Sequence, residues 1–129
     1  MNVLDKILSH KKTEIDKIPE IHLKSSNFKR LSLKKALKRD KISIIAEIKF
    51  ASPSEGIILK KGEHIQIAKD YENAGAAAIS VLTDRRFFNG DIKFLKDIKN
   101  AVNIPVMQKV HYVILQMLKI KQWEFLIRH

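Results

Sequence analysis

An α/β fold built on a parallel sheet is what this 129-residue sequence predicts, and three observations predict it. Short runs that are apolar on both faces recur at 42–49, 77–82 and 104–109, each rich in β-branched residues, as strands covered by helices require. The segments between them, 63–74 and 91–101, carry apolar residues at helical spacing. The connections are short, so successive βαβ units are the natural arrangement. Periodicity alone leaves an open doubly wound sheet and a closed barrel both available. No G-x-G-x-x-G follows the first strand, so a dinucleotide-binding fold lacks its usual support.

Taken in order, Val3, Leu4, Ile7, Leu8 and Ile15 predict an N-terminal helix, and Pro19 sets a boundary after it. A second helix is expected from about Asn27 to Arg39, with Leu31, Leu33, Ala36 and Leu37 as its apolar side. The first strand, Ile42 to Lys49, gives way to a loop marked by Ser52-Pro53-Ser54 and Gly56. Ile65, Ala68 and Tyr71 define the next helix; Gly75 precedes the second strand. Ile92, Leu95 and Ile98 define the second crossover helix, and Pro105 introduces the third strand at a position where proline is tolerated.

Composition narrows the function classes. Hydrophobic residues make up 45% and charged residues 30%, values of a globular rather than a disordered chain. No apolar run approaches the roughly 20 residues of a membrane span, and Asp5 and Lys6 interrupt the N-terminal apolar residues, unlike a secretory signal. The absence of cysteine excludes disulfides and thiolate metal sites and suits a cytoplasmic protein. The net charge of +11 is spread along the chain and is densest from Lys24 to Lys41. Such a surface can bind nucleic acid, solvate helices or draw in an anionic substrate. With no aromatic interleaving and no nucleic-acid motif, nucleic acid is not the expected partner.

Glu47 and Lys49 are two residues apart on the first strand, so they share a face, at the strand end where parallel α/β folds place their sites. They are either an ion pair that fixes strand register or working groups. Lys109 occupies the same place on the third strand, where an apolar wall of Pro105 and Met107 ends in one amine. That amine is either an acid–base group or an ordinary exposed lysine. Phe87 and Phe88 stand on the loop after the second strand, where they either line a pocket for a planar ligand or cap the core. His10, His22, His64, His111 and His129 form no metal-binding pair, and no G-x-S-x-G or Walker loop is present.

Three segments together resemble one family. Ile45-Ala46-Glu47-Ile48-Lys49-Phe50-Ala51-Ser52-Pro53-Ser54-Glu55-Gly56 is similar to the first-strand motif of indole-3-glycerol-phosphate synthases. Ala77 to Asp84, followed by Phe87-Phe88-Asn89-Gly90, resembles that family's second strand and loop, and Ile104 to Lys109 its third strand. The resemblance covers about residues 1–109 and implies a partial (β/α)8 barrel: an N-terminal helical extension over 1–40 and the first three barrel strands over 41–109. It also implies a reaction. The anionic phosphosugar–anthranilate adduct, 1-(2-carboxyphenylamino)-1-deoxyribulose 5-phosphate, closes a ring and loses carbon dioxide and water, with no organic cofactor and no metal. By motif position, Lys109 is the general acid of ring closure. Lys49 holds anionic groups and donates a proton during dehydration, and Glu47 orients that lysine. Ser52 and Pro53 lie against the anthranilate end, with Phe88 beside the ring.

The sequence departs from the family after Lys109, where Val110 and His111 stand in place of an acidic residue and an aromatic. The tail, 110–129, shows no family pattern in this reading, as a shifted reading frame would produce. Phe50 and Glu55 occupy positions where relatives often carry basic residues, with substrate attraction as the expected consequence. An eight-strand barrel typically needs about 250 residues. The expectation is therefore an inactive, truncated form that self-associates through open barrel edges. The alternatives are a basic nucleic-acid-binding module and a fragment that docks on a complementary half-barrel.

Overall fold

The computed structural model describes residues 2–15, 17 and 31–109. The chain divides into two units, one of residues 1–25 with 111–129 and the other of residues 26–110. The expected boundary at Pro19, the lysines from 24 to 30, residues 27–30 of the segment expected as the second helix, and the tail lie outside the described residues; Leu31 and Ser32 of that segment are described and are not helical.

In the first unit the described element is α1, Val3–Ile15. It starts where two polar side chains satisfy amides that have no intrahelical acceptor. Asn2 Oδ1 accepts from the Asp5 amide at 2.8 Å, and Asp5 Oδ2 from the Asn2 amide at 3.2 Å, a reciprocal cap. Ile7 is buried, and Lys11 is buried with its ammonium 2.5 Å from Glu14.

The second unit carries α2 (Leu33–Leu37), β1 (Ile45–Ile48), β2 (Ala51–Ser52), β3 (Gly56–Ile57), α3 (His64–Asn73), β4 (Ala78–Leu82), α4 (Arg85–Phe88), α5 (Ile92–Ala101) and β5 (Val106–Lys109). β1, β4 and β5 form one sheet in that order, with both pairings parallel. The two crossovers are α3 and α5. Their residues Ala68 and Ile98 pack with Ile48, Phe50, Ile79 and Val81 in one core cluster. By strand alternation those four residues share a single sheet face. Both helices therefore cover the same face, and strand order follows chain order. This is the winding of a barrel segment; a doubly wound sheet would reverse order and place helices on both faces.

The opposite face holds Ile45, Glu47, Ala78, Ser80, Leu82, Met107 and Lys109 by the same alternation. On the central strand β4 every residue is buried. On the flanking strands the face is open, with Ile45 41% and Met107 37% exposed.

Two expected loops contain regular structure. Residues 51–57 form a small antiparallel hairpin of β2 and β3, in which Ala51 faces Ile57 and Ser52 faces Gly56. Phe87 and Phe88, expected on a loop, belong to the one-turn helix α4, because Asp84 Oδ1 accepts the Phe87 amide at 2.7 Å and caps it. Phe50 also differs from expectation. One residue beyond Lys49 on the alternating strand, it turns to the helix side and is fully buried. There it stacks on Phe94 at 4.2 Å and meets the His64 ring at 5.6 Å. Its contribution is to the core rather than to attraction of a substrate.

Candidate active site

Glu47 lies on β1 level with Ser80 of β4, and Ser80 in turn is level with Met107 of β5. Lys109 is two residues further along β5, level with Leu82. Strands two apart in a sheet are separated by about 9 to 10 Å. A lysine and a glutamate extended towards one another can span that gap, and here they do. Lys109 Nζ donates to Glu47 Oε2 at 2.5 Å, across the intervening strand. Only a serine side chain, Ser80, occupies that strand at the level of Glu47.

The exposure of this contact limits what it adds to folding. The Lys109 side chain is 55% and the Glu47 side chain 35% exposed. A pair so open to water contributes at most about 1 kcal/mol to folding. It is therefore a weak device for fixing strand register, and the register is already set by the buried apolar residues of β4. The contact places the Lys109 ammonium beside the Glu47 carboxylate at the C-terminal strand ends. An ammonium held there by a carboxylate can donate a proton to an oxygen brought within reach.

Lys49 follows β1 directly and is half-buried. Alternation puts it on the face of Glu47, yet its side chain makes no ion pair or hydrogen bond among the described residues. The carboxylate expected to orient Lys49 is instead turned to Lys109. A third strand two positions away in the sheet is invisible to a local spacing argument.

The loops that rim this end are firmly built. Ser52 is buried; its Oγ accepts the Glu55 amide at 3.1 Å and lies 3.2 Å from Ser54 Oγ. Pro53 is exposed at the turn so formed, and Gly56 closes it with φ +67°, where a side chain would be strained. The Phe50 carbonyl accepts from the amides of both Ile58 and Leu59, at 2.8 and 3.1 Å, tying the hairpin to the end of β1. α4 packs against β2, so the elements that carry Phe88 and Ser52 are neighbours. Phe88 itself is buried at 9% exposure.

Sequence reasoning assigned no role to the next loop. Asp91 caps α5, its Oδ1 accepting the Lys93 amide at 2.9 Å and its Oδ2 meeting Arg85 at 2.9 Å. The Lys93 amide bond, and then the Arg85 charge, hold the Asp91 carboxyl below its ordinary value of 3.8. Lys61, Arg85, Asn89, Gly90, Asp91 and Phe94 line a cavity of about 290 Å³ on this rim. The signal was present in Asp91 standing before an apolar helical pattern. Among the described residues no cluster of three or more His, Cys, Asp or Glu could hold a metal ion, and no helix is long and apolar enough to cross a membrane.

The family model of indole-3-glycerol phosphate synthase matches residues 4–123. Among curated proteins, the indole-3-glycerol phosphate synthase of Geobacillus sp. (strain WCH70) is 46% identical over 109 residues, covering 83% of this chain and 42% of that protein. The synthase of Geobacillus thermodenitrificans (strain NG80-2) is 46% identical over 111 residues, with the same coverage. That of Bacillus velezensis (strain DSM 23117 / BGSC 10A6 / LMG 26770 / FZB42) is 47% identical over 111 residues, covering 83% of this chain and 43% of that protein. The chain thus spans about two fifths of the length of these relatives.

Proposed function

We propose that this chain, which belongs to the indole-3-glycerol phosphate synthase family, carries the acid–base end of that enzyme's site. The substrate is 1-(2-carboxyphenylamino)-1-deoxyribulose 5-phosphate. A carbon–carbon bond forms between the anthranilate ring and the sugar carbonyl carbon, and loss of carbon dioxide and water then leaves indole-3-glycerol phosphate. Lys109 protonates the carbonyl oxygen as the ring closes, so that no alkoxide has to develop unaided. Glu47 keeps the Lys109 ammonium in place. Lys49, which has no hydrogen-bond or ion-pair partner among the described residues, receives an anionic group of the substrate and supplies a proton to the departing water. Ser52, Pro53 and Phe88 stand at the aromatic end. Neither a metal ion nor an organic cofactor enters the scheme.

The single observation that carries this reading is the 2.5 Å contact between Lys109 and Glu47 at the C-terminal ends of strands two apart in a parallel sheet. The three strands of the described sheet are fewer than the eight of a closed barrel. The 129-residue polypeptide by itself is accordingly expected to form no product. The test is a single-chain chimera in which residues 1–109 of this sequence replace the matching part of the Geobacillus sp. (strain WCH70) synthase. Formation of indole-3-glycerol phosphate by the chimera supports the reading. A folded chimera without activity overturns it.

A further inference from the structure

Ser80 is the one polar side chain on the central strand β4, and strand alternation turns it to the face of Glu47 and Lys109. Its other neighbours on that face, Ala78, Leu82 and Met107, are apolar, and Ser80 itself is buried at 7% exposure. A methyl group fills the same kind of place two residues earlier, at Ala78, so packing alone does not call for a hydroxyl here. Burying a hydroxyl without a hydrogen bond costs folding free energy. Among the described residues the Ser80 hydroxyl nonetheless makes no hydrogen bond. Glu47 stands level with it on β1. One oxygen of that carboxylate, Oε2, takes Lys109, and the other, Oε1, has no partner among the described residues. An unmatched donor and an unmatched acceptor are thus level on adjacent strands, about 4.8 Å apart. To meet Lys109 on β5, the Glu47 side chain extends over β4, the strand that carries Ser80.

We propose that Ser80 is a positioning residue for Glu47, its hydroxyl donating to Oε1 while Oε2 holds Lys109. The inference rests on the acid–base reading of that pair given above and adds a residue to it. A carboxylate held at one oxygen turns freely about its terminal torsion, which has broad wells. Held at both oxygens it is fixed in its plane, and the Lys109 ammonium is fixed with it. The hydrogen bond acts again when Lys109 gives its proton to the carbonyl oxygen of the substrate. An N–H bond breaks, an O–H bond forms, and the lysine is left as a neutral amine. Glu47 stays ionised but loses its counter-charge at that moment. A hydroxyl bound to a carboxylate is among the stronger hydrogen bonds, and it stabilises Glu47 through the step.

The test is made in the single-chain chimera, with steady-state kinetics and urea unfolding measured on the same samples. Ser80→Ala is expected to lower kcat about tenfold with KM unchanged, the mark of an interaction used in the transition state. Ser80→Thr keeps the hydroxyl and is expected to recover most of the loss; Ser80→Val, of similar shape without it, is not. In unfolding, Ser80→Ala is expected to lower the urea midpoint of the parent. In a Glu47→Ala background the same substitution is expected to leave the midpoint unchanged or raise it, because the hydroxyl there has lost its acceptor. A midpoint that shifts equally in both backgrounds, or equal turnover for Ser80→Thr and Ser80→Val, overturns the proposal. A folded parent chimera that forms no product counts against the catalytic reading alone, and the two midpoints then decide whether Ser80 holds Glu47.

Discussion

Replacing Gly90 with alanine puts a methyl group against backbone that cannot withdraw. A Cβ built on Gly90 stands 2.8 Å from both C and Cα of Thr83 and closer still to the Leu82 carbonyl oxygen. Ordinary carbon contacts begin near about 3.5 Å, so something must shift by roughly 0.7 Å or more. Leu82 ends the buried central strand β4, and its carbonyl is not free to give way. The mobile partner is Gly90, whose amide donates to the Asp84 carbonyl at 2.7 Å. Overpacking of this kind costs about 1–3 kcal/mol, and weakening that hydrogen bond adds about 1 kcal/mol, so the sum is about 2–4 kcal/mol. Urea unfolding followed by far-UV circular dichroism reads the loss as a lower midpoint. Gly56→Ala is the comparison: nothing lies within 4 Å of its Cβ, and only its φ of +67° opposes the change, at about 1 kcal/mol. A midpoint for Gly90→Ala equal to or above that of Gly56→Ala would refute the reasoning.

Ile98 of α5 is fully buried in the core cluster, so Ile98→Ala is expected to cost about 2–5 kcal/mol. Ile92, 53% exposed on the same helix, should tolerate alanine within about 0.5 kcal/mol in the same unfolding experiment. Asp91 has its carboxyl held below 3.8 by the Lys93 amide and then by Arg85. A depressed carboxylate stabilises the fold above its unfolded value and loses that contribution as pH falls through the folded one. The unfolding midpoint of the parent should therefore exceed that of Asp91→Ala near neutral pH, and the difference should vanish as the pH is lowered below 3.8. A difference that persists undiminished into strong acid contradicts the assignment.

The sheet was legible because its strands are apolar on both faces and its crossovers are not. Ile79 and Val81 face the helices while Ala78, Ser80 and Leu82 face the other way, and burial on both sides leaves a two-faced apolar run in the sequence. Proline, glycine and the helical spacing of Ile92, Leu95 and Ile98 then marked the boundaries to within a few residues. The hairpin of β2 and β3 escaped because two-residue strands have no period; a serine hydroxyl and one left-handed glycine build it. α4 escaped for a similar reason, although Asp84, three residues before Phe87, is a capping signal that was there to be read.

At the site, Glu47 and Lys109 were legible as residues, while their partnership depended on which strand lies between β1 and β5. Local spacing favoured Glu47 with Lys49, and the sheet order favours Lys109. Phe50 shows the opposite lapse. The alternation that groups Glu47 with Lys49 already sends residue 50 to the helices, and its contact with the Phe94 and His64 rings follows from that.

The central claim is that Glu47 and Lys109 are paired to work rather than to hold the fold. Comparing Lys109→Met with its parent in the single-chain chimera tests this most directly, with turnover and melting temperature measured on the same samples. The account predicts turnover reduced by about 10²- to 10⁴-fold, with stability changed by no more than about 1 kcal/mol. Turnover that survives the substitution, or a loss fully explained by unfolding, would contradict it.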